Sequence, residues 1–249
     1  MYSKAQKTIL CLSVAFMAFF AFPVTAGAMH IMEGYLPLGH SIAWGAVCVP
    51  FLVAGFFRLR KTVRENRRAL ILLAMSGAFI FVISSLKIPS VTGSCSHMTG
   101  TGLSAMLFGV GTTSILGVIV LIFQSILLAH GGLTTLGANT FSMAIAGPLF
   151  TVLLFQVGKK LKINKMVNVF IAAALGDLLT YCVTSVQLAI AHPSEAGGMT
   201  ASLGKFLTVF APTQLPLAIV EGLLTVLIIM GMEHFAANEL SDISFAEIK

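Results

Sequence analysis

Long apolar runs separated by short polar segments dominate the chain. They cover residues 9–22, 38–57, 69–86, 102–129, 140–157, 166–190 and 217–232. A helix of about 20 apolar residues crosses the hydrocarbon core of a bilayer, which is about 30 Å thick. The pattern therefore predicts an all-α membrane protein that crosses the bilayer several times.

The first apolar run differs from the others in its surroundings. A basic start with Lys4 and Lys7 precedes it, and the small residues Ala26 and Ala28 follow it. This order is typical of a secretory signal peptide, and the run is shorter than an ordinary span. We expect cleavage after residue 28, so that residues 1–28 are removed and the mature chain begins at Met29. An uncleaved anchor helix is the alternative.

Basic residues predict the orientation, because Lys and Arg concentrate in cytoplasmic loops. The clusters at 58–68 and 158–165 hold most of them. Placing both clusters inside requires two short crossings within 102–129, broken near Gly109. Each leg is then shorter than an ordinary span, which is tolerated where a helix lines a protein cavity.

Near the end of the chain, residues 202–210 form a short apolar piece that Pro212 and Pro216 separate from the last crossing. We therefore expect about seven crossings in a membrane domain of residues 29–235, with the amino end outside and the carboxyl end inside. Residues 236–249 would form a cytoplasmic tail.

Composition supports this class of protein. Of the 249 residues, 57% are hydrophobic and only 10% are charged, whereas soluble domains carry about 25% charged residues. The net charge of +6 is therefore a property of the loops and does not predict nucleic-acid binding. The four cysteines include no CxxC pair and predict no disulfide framework.

Cleavage before Met29 would create a metal chelate. The freed α-amine, the amide nitrogen of His30 and Nδ1 of His30 would close two fused rings around one ion and leave room for a fourth nitrogen. Tetragonal nitrogen sites suit Cu(II) and Ni(II), and Co(II) lies next to them in affinity. The alternative is a signal peptide followed by an incidental histidine.

Other outward-facing polar segments offer further ligands, because neutral imidazole is a common metal ligand. His97 is the best candidate for the fourth nitrogen, since it lies in a loop, 87–101, that is too polar for lipid. His130 is weaker, with a supporting or gating role. For each histidine, a structural hydrogen bond is the alternative.

Several further polar residues are candidates for support or gating. Asp177 and Glu221 fall inside predicted spans, where a carboxylate needs a partner or water, and either could hold the second ring nitrogen of a histidine. Glu33 could orient the new amino-terminal segment. Ser96 adjoins His97, but a serine and a histidine that close in sequence do not predict a catalytic triad.

Two enzyme motifs are absent from the sequence. The chain contains no GxxxxGK[ST] phosphate loop and no HExxH zinc motif. We expect that the protein is not an enzyme and holds no resident cofactor.

At these residues the chain resembles the CbiM group, the substrate-capturing subunits of energy-coupling-factor cobalt/nickel importers. The segments that carry the resemblance are MHIMEGYLP (29–37), GSCSH (93–97), GTGL (100–103), HGGLTTLGAN (130–139) and FAPTQLPLAIVEG (210–222). The resemblance implies that Met29, His30 and His97 bind the metal, and residues 32–37 resemble the cobalt members more than the nickel ones. Met98 departs from the family pattern, which has proline there.

The resemblance also implies partners and a cellular role. The partners are a transmembrane coupling subunit, two cytoplasmic ATPase subunits and a small membrane subunit in the inner membrane of a bacterium. The role is ATP-driven uptake of Co(II) for cobalamin synthesis. Two alternatives stay open: a nickel-specific member of the same group, and a self-sufficient permease with Asp177 and Glu221 as a proton relay.

Overall fold

The structure, a computed structural model, describes residues 27–28, 30–67, 69–86, 88–89, 94–237 and 240. Six apolar helices make up most of this part: α1 (Leu38–Glu65), α2 (Ala69–Ser85), α3 (Thr101–Leu128), α4 (Leu136–Lys160), α5 (Lys165–Ala191) and α6 (Gly198–Phe235). Five of them are long and apolar enough to cross a membrane, and α2 is shorter. The prediction of a multi-pass α-helical membrane protein is confirmed.

The predicted signal peptide lies outside the described residues, apart from the backbone of Gly27–Ala28, and so does Met29. Gly27–Ala28 forms a short strand, β1, parallel to β3 (Ser94–Ser96), and β2 (Ile88–Pro89) pairs with β3 on the other side, antiparallel. This small sheet is not part of the all-α prediction. Of the predicted tail, only residues 236, 237 and 240 are described.

The region predicted as two short crossings forms a single element, α3, with a break. Gly109 has φ 78° and ψ 170° inside it, a conformation that is restricted almost entirely to glycine. Ser104 Oγ and Thr113 Oγ1 lie 3.0 Å apart, although nine residues of straight helix would separate them by about 13.5 Å. The chain therefore folds back at Gly109.

The break confirms the predicted interruption near Gly109. By length and composition, five helices of the described part could cross a membrane, and α2 is shorter. The leg before Gly109 extends only about 12 Å over eight residues, and the count of seven crossings stays a prediction.

The last helix corrects one prediction. Residues 202–210 are not a separate piece, since α6 continues through Pro212 and Pro216. Proline removes a backbone hydrogen bond, but neighbouring side chains in a membrane bundle can replace it. The Tyr181 hydroxyl of α5 donates to the carbonyl of Phe206 at 3.1 Å, so α6 is bound to α5 just before the two prolines.

Basic residues gather at one end of the bundle. Arg58, from the first basic cluster, and Lys159, from the second, line the same cavity of about 360 Å³ with Gly109. The two clusters therefore lie on one side, as the orientation argument requires.

A separate apolar cluster lies toward the other end, where it packs residues 30–37 against the bundle. Its buried members are Ile31, Leu36, Ala138, Tyr181, Leu188 and Phe210. The segment that carries His30 is therefore anchored between α4, α5 and α6 by apolar burial.

Candidate metal centre

The two predicted histidine ligands meet beside the small sheet. Gly27 pairs with Ser94 and Ala28 pairs with Cys95, at the same offset of 67 residues that separates His30 from His97. Nδ1 of His30 lies 2.7 Å from Nε2 of His97. Because residues 27–28 belong to the segment that the sequence predicts to be removed, the contact in the mature chain depends on residues from His30 onward.

His130 reaches the same point from the loop after α3. Its ring centroid lies 4.4 Å from that of His30 and 4.8 Å from that of His97, nearly perpendicular to both rings. The three imidazoles are buried, and one possible ligand atom from each lies within 4.8 Å of the others. His130, predicted only as a supporting or gating residue, is therefore placed with the two predicted ligands.

The hydrogen bond of His97 determines which of its nitrogens faces the cluster. Nδ1 of His97 lies 2.8 Å from the carbonyl oxygen of Met98. Because a carbonyl only accepts, Nδ1 carries the proton in the neutral ring and Nε2 keeps its lone pair. That lone pair is the one near His30.

The spacing of the two facing nitrogens suits a metal ion as well as a hydrogen bond. Nitrogens that bind one ion at right angles, each at about 2.0–2.1 Å, lie about 2.9 Å apart. Nδ1 of His30 and Nε2 of His97 lie 2.7 Å apart. His97, the predicted fourth ligand, therefore lies close enough to Nδ1 of His30 for the two nitrogens to bind one ion.

Asn139 holds the segment that follows His30. Its Oδ1 accepts from the amide of Ile31 at 2.8 Å and its Nδ2 donates to the carbonyl of Ile31 at 3.0 Å. The Thr135 hydroxyl donates to the same carbonyl at 2.6 Å. Sequence reasoning did not select Asn139, although an asparagine at the start of an apolar run was a signal that could have found it.

Glu33 binds the loop beside the site. Its carboxylate accepts from the amide of Thr134 at 3.2 and 3.3 Å. The Thr134 side chain, together with the backbone amides of Thr134 and Leu133, lowers the pKa of the Glu33 carboxyl despite some opposing desolvation. Gly132 permits the close approach, because a Cβ there would lie 2.5 Å from Cα of Glu33. Glu33 thus connects the His30 segment to the loop that carries His130.

The two intramembrane carboxylates bind other partners than predicted. Glu221 accepts from the amide and hydroxyl of Thr99, at 2.6 and 2.9 Å, and from the amide of Gly100 at 3.0 Å. Asp177 accepts from Nε2 of Gln214. Nδ1 of His97 is bound to a backbone carbonyl, so neither carboxylate holds that nitrogen.

Ser96 also binds α6. Its hydroxyl lies 2.7 Å from that of Thr213, which ties the loop before His97 to the helix. This contact anchors the loop to α6, and it does not indicate a nucleophilic serine activated by His97.

A small cavity lies beside the imidazoles. It has a volume of about 10 Å³ and is lined by His30, His97, Asn139, Ser142, Met143, Thr180 and Thr184. A space of this size holds about one water molecule or one small ion. Ser142 and Met143 come from a π-helical stretch of α4, Thr140–Ala146, and such stretches occur frequently at functional sites.

Comparison with known proteins gives the same family along the whole membrane region. The CbiM profile, described as the cobalt uptake substrate-specific transmembrane region, matches residues 30–239. A cobalt transport protein CbiM of Lachnoclostridium phytofermentans is 61% identical over 241 residues, 97% of this chain and 96% of that protein. The CbiM of Chlorobium limicola is 57% identical over 233 residues, 93% of this chain and 92% of that protein.

A solved structure agrees with these relatives. A truncated transition metal transporter, known from a crystal structure, superposes with a TM-score of 0.72 at 26% identity, covering 82% of this chain and 99% of that one. Sequence and fold therefore lead to one conclusion: the chain belongs to the CbiM family.

Proposed function

We propose that the protein captures Co(II) outside the cell, as the substrate-binding subunit of an ATP-driven importer of the energy-coupling-factor type. The observation that carries this proposal is the buried cluster of three imidazoles, in which Nδ1 of His30 lies 2.7 Å from Nε2 of His97. The names of the relatives, which are cobalt transport proteins, support cobalt as the substrate.

The ligands in this proposal are four nitrogens. They are the amine of Met29 after cleavage, the amide nitrogen and Nδ1 of His30, and Nε2 of His97. Two facts about the described residues support this set. The nitrogen of His30 that faces His97 is Nδ1, which is the ring atom that can close a chelate with the amide nitrogen of His30. The nitrogen of His97 that faces His30 is Nε2, which carries a lone pair. His130 closes the site from a third side.

The orientation follows from the basic end of the bundle. The cavity lined by Arg58 and Lys159 belongs to the end that carries both basic clusters, and such clusters concentrate in the cytoplasm. We place that end inside and the histidine end outside, so that the amino terminus produced by a signal peptidase lies where the metal arrives.

Release of the metal into the cell requires energy. The sequence of this chain contains no phosphate loop for ATP. The proposed partners are a transmembrane coupling subunit, two cytoplasmic ATPase subunits and a small membrane subunit, in the inner membrane of a bacterium. The imported cobalt would serve cobalamin synthesis.

Uptake of radioactive Co(II) by cells that express the chain with its partner subunits tests the proposal. We expect uptake that stops when the ATPase subunits are inactivated by mutation and when His97 is replaced by alanine. Excess Ni(II) should compete poorly; strong competition would support the nickel-specific alternative.

One observation favours a second candidate, a proton-linked permease. Asp177 and Glu221 are neighbouring carboxylates, and each is only 1% exposed. In that case the chain alone would transport cobalt, and an uncoupler would stop transport while ATPase inactivation would not. This result would overturn the capture-subunit proposal.

A further inference from the structure

Helix α6 holds the loop that presents His97. Residues 97–100 lie between β3 and α3 and are buried. Glu221 of α6 accepts three hydrogen bonds from Thr99 and Gly100, at 2.6, 2.9 and 3.0 Å. These donors directly precede α3, so the carboxylate also lies at the positive end of a helix dipole.

A second side chain of α6 holds the loop at His97 itself. Nε2 of Gln214 donates to the carbonyl of His97 at 3.3 Å and also to Asp177 on α5. Gln214 and Glu221 are seven residues apart, which is about two helical turns, so both project from one face of α6. The backbone on either side of the His97 ring is therefore attached to the same helix.

These contacts leave little freedom for the imidazole. One end of the loop is bound at Ser96 by Thr213, the middle by Gln214, and the other end by Glu221. The ring itself is fixed by the bond from Nδ1 to the carbonyl of Met98. A shift of the loop would therefore change the distance between Nε2 of His97 and Nδ1 of His30.

We propose that Glu221, assisted by Gln214, is a positioning residue for metal capture: it fixes the His97 loop so that Nε2 meets the chelate of His30. The proposal rests on the proposed function, since it concerns the same metal site. Glu221 acts through hydrogen bonds to the loop and does not bind the metal. The position of α6 then sets the affinity of the site.

Replacing the carboxylate with an amide tests this role. Glu221→Gln puts an NH₂ group among N–H and O–H donors, so at least one hydrogen bond is lost. We expect the affinity for Co(II), measured by calorimetric titration of the purified full chain, to fall about 10- to 100-fold, as is usual for residues that support a metal ligand. The visible absorption spectrum of bound Co(II) should also shift, because the geometry at His97 changes.

A matched control lies on the same helix. Glu233 forms an ion pair with Lys165 and lies twelve residues, or about 18 Å, further along the helix than Glu221. Glu233→Gln makes the same chemical change. The affinity of the Glu233→Gln variant for Co(II) should equal that of the wild type. Equal losses for the two variants would show a general effect on α6 and overturn the proposal.

A double-mutant cycle separates positioning from general support. In a His97→Ala background, where the remaining nitrogens still bind Co(II) weakly, Glu221→Gln should cause little further loss. The same fold-loss in both backgrounds would overturn the proposal. If Glu221→Gln does not fold, Thr99→Val is the substitute, because it removes one hydrogen-bond donor to Glu221 with little change of shape. We expect Thr99→Val to lower the affinity for Co(II) about 3- to 10-fold in the wild-type background and not at all in the His97→Ala background.

The outcomes distinguish this inference from the proposed function. A wild-type chain with a verified amino terminus that binds no Co(II) overturns both. A wild-type chain that binds Co(II) with additive effects of Glu221→Gln and His97→Ala overturns the positioning role alone.

Discussion

Asn139 binds both backbone groups of Ile31, the residue directly after His30. Its Oδ1 lies 2.8 Å from the amide nitrogen and its Nδ2 lies 3.0 Å from the carbonyl oxygen. The side-chain amide thus replaces the neighbouring strand that would satisfy these groups in a sheet. Both residues are only 2% exposed, so water cannot substitute for the asparagine.

Replacing Asn139 with leucine should therefore weaken metal capture. The change leaves a buried amide and a partly satisfied carbonyl at Ile31, and each unsatisfied group costs about 1–3 kcal/mol. The His30 segment would move to recover its hydrogen bonds, and the affinity for Co(II) in calorimetric titration should fall about 10-fold or more.

Asn168 offers the control for this change. It is also buried and donates to the carbonyl of Phe155 at 2.8 Å, but it lies among residues of a different core cluster. Asn168→Leu should lower the thermal unfolding midpoint and leave the affinity for Co(II) within about twofold. An Asn139→Leu variant that binds Co(II) as tightly as the wild type would contradict the anchoring role.

An alanine inserted between Ala28 and Met29 should change how Co(II) is bound when cleavage still follows residue 28. His30 then occupies the third position of the mature chain, so the terminal amine, two amide nitrogens and Nδ1 of His30 can fill all four positions of a tetragonal site and leave none for His97. The affinity of this variant for Co(II) should therefore no longer depend on His97. The measurement is calorimetric titration of protein whose amino terminus has been sequenced.

The control insertion belongs in an exposed turn. An alanine between Glu195 and Ala196, both exposed, should leave binding unchanged. If His97→Ala weakens Co(II) binding by the variant with the shifted histidine as much as it weakens binding by the wild type, the proposed chelate is wrong.

Replacing His130 with alanine should lower the affinity for Co(II), because its ring lies 4.4 Å from that of His30 and closes one side of the site. We expect a loss of about 10-fold or more, the range for groups that support or supply a ligand. His192→Ala is the control, since His192 is an outer-turn residue bound to the carbonyl of Tyr35. Equal affinity of the His130 and His192 variants would exclude His130 from the site.

The sequence predicted the parts of this site that depend on local patterns. Hydrophobic runs predicted the helices, because length and composition alone decide whether a segment crosses a bilayer. His30 and His97 were identified from their short motifs, and the structure brings them within 2.7 Å. Gly109 marked the interruption of α3, since glycine permits a backbone that other residues avoid.

The parts that were missed depend on contacts between distant segments. Asn139 and Ile31 are 108 residues apart, and Glu221 and Thr99 are 122 residues apart. The periodic pattern of a single helix or strand therefore does not indicate that these residues are in contact. The partners of Asp177 and Glu221 could not be predicted, because a buried carboxylate needs donors but its sequence neighbours do not indicate which. The strand pairing of Gly27–Ala28 was missed for the same reason, since two-residue strands carry no alternation.

Gly109 supplies a test of the fold-back in α3. A side chain at φ 78° and ψ 170° is strained by about 1–3 kcal/mol, so Gly109→Ala should lower the thermal unfolding midpoint in detergent by about 2–10 °C. The control is Gly231→Ala in α6, where a Cβ meets nothing within 4 Å and alanine should add about 0.5–1 kcal/mol of stability. Equal or higher stability of the Gly109 variant would contradict the break, because a continuous helix gains from alanine at every interior position.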